Sequence, residues 1–353
     1  MVGVKYKMIT GLAASGALLT GLLSCGRMQP PIPAKRPPAV EITYNNPADT
    51  GFINTTPAVA AYLLAKYDRN FKTADVIWPP DELCRVVDIS LDVTGSCFDK
   101  KVLLREGGPE TPLAAYFVDQ LSRFLVNEIP LEAGDRIYLR LYGAKKYNLP
   151  GETSDLDPRS FTTLQVRKAR LKISGERLSR RHNDLALTVE EVHAGADGGL
   201  APSAAVKRIG DWFSPQVRAC EPVGERYDES PLLKHIKDTV QQHPADETQG
   251  NRIFIFLTDG KFQYGGLWFD ADPAHQGTRE AIATRVTADG YKPFAGREAN
   301  TRVVVMGLNS DGNPAFDRER FIAVCVRGLE ASVRKEPRTV TSSSRASTRG
   351  SVL

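Results

Sequence analysis

The sequence predicts an α/β fold: a doubly wound, mostly parallel central sheet with helices on both faces, an insertion, and disordered flanks. Three observations predict it. From residue 85 onward, apolar runs of strand length alternate with stretches of helical periodicity. The run Arg252–Leu257 is continuously apolar after its arginine, as in a strand covered on both sides. The chain has 353 residues, 41% hydrophobic and 25% charged, enough for one large folded domain or two small ones.

The elements follow in order. Lys5 and Lys7 precede an apolar, small-residue run from Met8 to Leu23. That run is too short to span a membrane comfortably and reads as a secretion signal over residues 1–24. Its ending, Leu22-Leu23-Ser24-Cys25, resembles a bacterial lipobox. The resemblance implies cleavage before Cys25 and a diacylglycerol on its thiol; a plain signal peptide with an incidental Cys25 is the alternative. Gly26 after the cysteine resembles the outer-membrane sorting pattern of Gram-negative lipoproteins. An extracytoplasmic, membrane-anchored location is therefore expected. Residues 25–40 form a proline-rich tether with Pro30, Pro31, Pro33, Pro37 and Pro38. Residues 41–84 form an N-terminal extension expected to pack on the domain, with helical spacing from Thr56 to Tyr67.

The main domain spans residues 85–332. Strands are expected at Val86–Val93, Arg136–Tyr142, Arg252–Leu257 and Arg302–Leu308. Helices are expected at Pro112–Ile129, Pro231–Gln242, Glu280–Ala288 and Pro314–Val333. Residues 144–229 break the rhythm as an insertion. It contains a charged stretch read as helical, Gln165–Asn183, a glycine-rich loop, and a short helix near Ala204–Phe213. Residues 333–353 are rich in Ser, Thr and Arg and have nothing to bury, which predicts disorder. The formal net charge of +4 is small, with much of the excess in the flanks. No basic stripe interleaved with aromatics occurs, so nucleic acid is not an expected partner.

In open α/β sheets the ligand site lies beyond the carboxyl ends of the strands. The first strand ends in Asp92-Val93-Thr94-Gly95-Ser96, a carboxylate and two hydroxyls at every second position of a tight turn. The run Ile253–Leu257 ends in Thr258-Asp259-Gly260, bringing a second carboxylate. Ser230 precedes Pro231-Leu232 at a helix start and supplies a third hydroxyl, unless it serves as the helix N-cap. All are hard oxygen donors suited to Mg²⁺, or to another hard dication such as Mn²⁺ or Ca²⁺.

This ordered set resembles the von Willebrand factor A (vWA) domain and its metal-ion-dependent adhesion site. The family's Asp-x-Ser-x-Ser motif falls on Asp92, Thr94 and Ser96; its Thr before Pro-Leu on Ser230; its Thr-Asp-Gly aspartate on Asp259. Thr94 replaces Ser and Ser230 replaces Thr, each keeping a hydroxyl. The resemblance covers about residues 85–332 by motif and element order together. It implies a metal held by these five residues, with one coordination position left for a carboxylate of a protein or other macromolecular partner. It also implies a binding module rather than an enzyme.

Two departures stand out. Asp88 and Ser90 share a strand face with Asp92 by period two, where a central strand is normally apolar. They predict either a polar layer beneath the site or a bulge. Asp228 and Glu229 stand where the family has small residues.

Beyond Cys25, the cysteines are Cys84, Cys97, Cys220 and Cys325. Three pairings are open, as is a set of four free buried thiols. Cys97–Cys220 with Cys84–Cys325 is the pairing that the expected element ends favour. The five histidines are scattered and expected at the surface, and no Cys or His spacing suits zinc. There is no nucleophile elbow and no phosphate-binding loop. Two other functions stay open: a structural envelope protein with a degenerate metal site, and an aspartate-based phosphohydrolase. Haloacid-dehalogenase-type phosphatases want a second aspartate where this chain has Thr94. Oligomeric state is not legible.

Overall fold

The computed structural model describes residues 5–7, 39–45, 56–67, 72–103, 110–145, 160–181, 183–194, 198–228, 230–243, 251–269, 276–297, 300–308 and 318–326. Most of the secretion signal, Cys25, the proline-rich tether and the basic tail lie outside the described residues, as do His182 and His275.

In chain order the first strands and helices are β1 (Lys5–Lys7), β2 (Val40–Tyr44), α1 (Thr56–Lys66) and β3 (Thr73–Trp78). Then come β4 (Val86–Asp92), α2 (Gly95–Asp99), β5 (Lys101–Leu103), β6 (Glu110–Pro112), α3 (Leu113–Asn127), β7 (Arg136–Tyr142) and β8 (Phe161–Gln165). The chain continues with β9 (Ala169–Ser179), β10 (Asp184–Ala194), α4 (Pro202–Ala219), α5 (Leu232–Gln241) and β11 (Arg252–Leu257). It closes with β12 (Phe262–Tyr264), β13 (Leu267–Phe269), α6 (Gln276–Ala288), β14 (Thr301–Met306) and α7 (Arg318–Cys325). Among the described residues no helix is long and apolar enough to cross a membrane.

The chain divides into two compact units. Residues 1–79 and 167–198 form one; residues 80–166 and 199–353 form the other.

The first unit is built on a sheet in the order β1-β2-β10-β9-β3. Within the stretch Gln165–Asn183, expected to be helical, Ala169–Ser179 forms the strand β9 instead. Within it Ala169, Leu171 and Ile173 are buried while Arg170, Lys172 and Ser174 are exposed. That period of two belongs to a half-buried strand, and its charges lie on the open face. High charge had concealed the alternation. β9 pairs antiparallel with both β10 and β3, and β10 pairs parallel with β2. These ladders tie residues 167–198 to the N-terminal segment. Helix α1 contributes buried Val59, Ala60 and Leu63, and Tyr62 meets Trp78 edge-on at 5.7 Å.

The second unit holds a mixed sheet in the order β14-β11-β4-β7-β8. β4 pairs parallel with β11 and β7, β14 pairs parallel with β11, and only the edge strand β8 runs antiparallel. The architecture is mixed α/β, with the sheet fully buried at β4 and β11. Side chains sort by alternation. Ile253, Ile255 and Leu257 join one apolar cluster with Val87, Ile89 and Leu91, α3 and α4. Phe254 and Phe256 join a second with α5, α6 and α7. Helix α3 reaches the first through Leu113, Phe117, Leu121 and Phe124, spaced by three and four residues as a helical stripe requires. Each large side chain buried in this way contributes about 1.5–3 kcal/mol. Helix α4 runs past the expected Ala204–Phe213 to include Pro215.

Candidate metal centre

β4 delivers Asp92 at its carboxyl end, and the chain turns into α2 after Thr94. Asp92 is fully buried and accepts four hydrogen bonds. The Thr94 backbone N–H and its hydroxyl donate to Oδ1 at 3.0 and 2.7 Å. The hydroxyls of Ser230 and Thr258 donate to Oδ2 at 3.0 and 2.9 Å. Three loops therefore meet on one carboxylate. Ser230 makes no capping bond: α5 begins at Leu232, and its cap position is Pro231, without a side-chain cap. The hydroxyl is spent on Asp92 instead.

Asp259 follows β11 across the adjacent strand pair. Its Oδ1 accepts the Lys261 backbone N–H at 3.1 Å. Its Oδ2 is buried without a hydrogen-bond partner; the Lys100 ammonium stands 3.4 Å away, at ion-pair distance but out of hydrogen-bond alignment. Ligand atoms of Asp92, Asp259 and Cys97 all lie within 4.8 Å of one another. Burial, then the charge of Asp259, pushes the Asp92 carboxyl up to about 6, against the hydrogen bonds from Thr94 and Thr258. Ser96 is half-buried in the first turn of α2.

Two glycines let the backbone close around this site. Gly143 has φ +89, and a Cβ there would lie 2.4 Å from Thr94 Cγ2. Gly307, at φ +93, would drive a Cβ to 2.9 Å from the Thr258 carbonyl oxygen and closer still to the Phe117 ring. The backbone N–H of Val93 donates to the Tyr142 carbonyl at 3.0 Å, and that of Gly95 to the Tyr227 carbonyl at 2.8 Å. The Thr258 N–H donates to the Met306 carbonyl at 3.0 Å.

Beneath Asp92 the same face of β4 stays polar. The ladders to β11 and β7 run without a register shift, so the strand does not bulge there. Ser90 Oγ hydrogen-bonds His235 Nε2 at 2.9 Å, and the Tyr142 ring stacks on His235 at 4.2 Å. Burial, then the cations Arg140 and Lys234, brings the His235 imidazole down to about 3, so it is neutral. Asp88 accepts Arg140 Nε at both oxygens, 3.0 and 2.9 Å, and its Oδ2 lies 2.7 Å from His243 Nε2. His235 and His243 are thus buried, against the expectation of surface positions, because the polar face of β4 gives them partners.

The four described cysteines are buried thiols outside any disulfide, so neither Cys97–Cys220 nor Cys84–Cys325 is bonded. Cys97 faces the carboxylates, Cys84 Sγ donates to the Pro80 carbonyl at 3.4 Å, and Cys325 sits in the apolar cluster of α7.

The structure therefore gathers Asp92, Thr94, Ser230 and Asp259 in one place, with Ser96 in the turn that follows Thr94. Sequence reasoning missed Thr258, Cys97 and Lys100 as members. Thr258 stands inside the quoted Thr-Asp-Gly turn and was legible there; Cys97 directly follows Ser96. The residues suit a cation. Two buried carboxylates lie close together, one has an oxygen that accepts no hydrogen bond, and neutral hydroxyls and the Lys100 ammonium stand beside them. Compared with known proteins, the chain matches no family model and no curated protein.

Proposed function

We propose that residues 85–332, apart from residues 167–198 of the first unit, form a doubly wound vWA-type domain that holds a divalent cation through Asp92, Thr94, Ser96, Ser230 and Asp259. The ion captures a carboxylate of a protein or other macromolecular partner, and the surrounding loops choose that partner. The order β14-β11-β4-β7-β8, with parallel pairing through the centre, supports the doubly wound reading. The observation that carries the metal reading is Asp259 Oδ2, which is buried and accepts no hydrogen bond, on a carboxylate with an oxygen within 4.8 Å of one of Asp92. When bound, the cation supplies a Lewis-acidic anchor. The chain's own part is to orient the oxygens: Thr94, Ser230 and Thr258 fix both Asp92 carboxylate oxygens. Lipidation at Cys25, read from the sequence, anchors the module to a membrane outside the cytoplasm.

Titration calorimetry with Mg²⁺ tests the centre: Asp92→Ala abolishes binding, and unchanged affinity sinks the proposal. Pull-down from envelope extract with and without EDTA tests capture, which EDTA and Asp92→Ala abolish alike. One observation favours the rival reading of a structural envelope protein with a degenerate site: Lys100 sits 3.4 Å from Asp259 as a built-in counter-cation. Failure of the wild-type protein to bind any dication selects that reading.

A further inference from the structure

We propose that the centre is a mixed oxygen–thiolate site, in which Cys97 Sγ joins Asp92 and Asp259 on the ion, so that it takes a borderline dication of the zinc or cobalt(II) class in preference to magnesium. This rests on the metal-binding reading above and sharpens which ion is held.

Cys97 is fully buried, and its sulfur lies within 4.8 Å of both carboxylates. Zinc–sulfur bonds are about 2.3 Å and zinc–oxygen bonds about 2.0–2.2 Å, so donors on one tetrahedral ion lie roughly 3.3–3.7 Å apart. The three side chains share an ion by closing in on it by up to about an ångström. Asp259 Oδ2 is the second, independent sign: it is buried and accepts no hydrogen bond, and its ion-pair neighbour Lys100 stands off at 3.4 Å.

Charge points the same way. Asp92 and Asp259 carry two negative charges and Lys100 one positive charge, 3.4 Å from Asp259. With a dication and a neutral thiol, this buried set is left with net +1. With the thiolate it is neutral, the state a buried cluster favours. On binding, the Cys97 S–H bond breaks, the proton leaves to water and a metal–sulfur bond forms; no electron changes hands. Thiolate donors select zinc-like ions, whereas magnesium requires six oxygens in near-octahedral array. The oxygen donors alone pointed to a hard ion; the residue after Ser96 changes the donor set.

The test uses the full chain, freed of metal and titrated with Co²⁺ while the near-ultraviolet absorption is followed. Wild type develops a sulfur-to-cobalt charge-transfer band, and Asp92→Ala, which keeps every thiol, lacks it. Cys97→Ser binds Co²⁺ without the band, and its preference for Zn²⁺ over Mg²⁺ falls at least tenfold. X-ray absorption at the zinc edge of wild type shows a sulfur neighbour near 2.3 Å, a readout that needs no variant. Co²⁺ binding without the band, or only oxygen and nitrogen neighbours around zinc, overturns the thiolate proposal and leaves the metal-binding reading standing. Absence of binding by Mg²⁺, Co²⁺ and Zn²⁺ alike overturns both.

Discussion

Ser230 donates its hydroxyl to Asp92 Oδ2 at 3.0 Å, joining two residues 138 positions apart in the chain. The bond decides between two roles for this serine, because the helix behind it begins at Leu232 without a side-chain cap. Ser230→Ala therefore leaves α5 intact by circular dichroism. It lowers the unfolding free energy of the metal-free protein by about 1–3 kcal/mol in urea, the cost of losing a bond to a charged acceptor. Dication affinity in calorimetry falls about tenfold. Unchanged affinity removes Ser230 from the ligand set.

The Asp92 carboxyl, pushed up to about 6, sets the pH behaviour. In the unfolded chain an aspartate titrates near 3.9. Between these values the folded protein holds the extra proton, so its stability is complete below about pH 4 and declines as pH rises through about 6. The difference of about two units corresponds to roughly 3 kcal/mol. Asp92→Asn flattens that slope in denaturation of the metal-free protein between pH 4 and 7.

A dication reverses the sign. Mg²⁺, held through oxygens alone, binds the ionised carboxylate, so its affinity is greatest above about pH 6 and weakens by up to about tenfold per unit below it, whereas an ion that also displaces the Cys97 proton keeps gaining affinity above pH 6. Calorimetry across pH 4.5–7.5 reads this, and a flat profile contradicts it.

Asp88 depends on Arg140, whose Nε contacts both of its oxygens inside the core. Arg140→Met leaves that carboxylate with His243 alone and costs about 3–5 kcal/mol. The double variant Asp88→Leu/Arg140→Met costs less than the single substitution, because no uncompensated charge remains. Urea unfolding of the four proteins measures the coupling.

Gly143 tolerates no side chain. Its backbone is left-handed, and an added Cβ would stand 2.4 Å from Thr94 Cγ2, so Gly143→Ala displaces the loop that holds Asp92. Unfolding free energy falls by about 1–3 kcal/mol, and dication binding is lost with it. Gly266→Ala, with φ +80 but open space at its Cβ, shares the backbone strain without the clash and keeps dication binding.

The ends of β4 and β11 were legible because an apolar run stops abruptly in oxygen-bearing residues, a pattern local enough to read. The α3 stripe was legible for the same reason. The β9 strand was not: its alternation uses Arg and Lys on the open face, and charge outweighed periodicity. The burial of His235 and His243 was illegible because their partners Ser90 and Asp88 lie 145 and 155 residues away. Such pairs exist only once the sheet has formed. Asp88 and Ser90, by contrast, announced a polar strand face through period two, and the structure supplies what covers it.

The trio Asp88, Arg140 and His243 also bears on how this chain can diverge. Its members come from a central strand, the neighbouring strand and the residues just after a helix, so no local replacement preserves the charge balance. Drift at one position strands the others in a dry interior. Along any lineage these three sites are bound to change together or to stay fixed, whereas the open face of β9 is at liberty to exchange one charged residue for another.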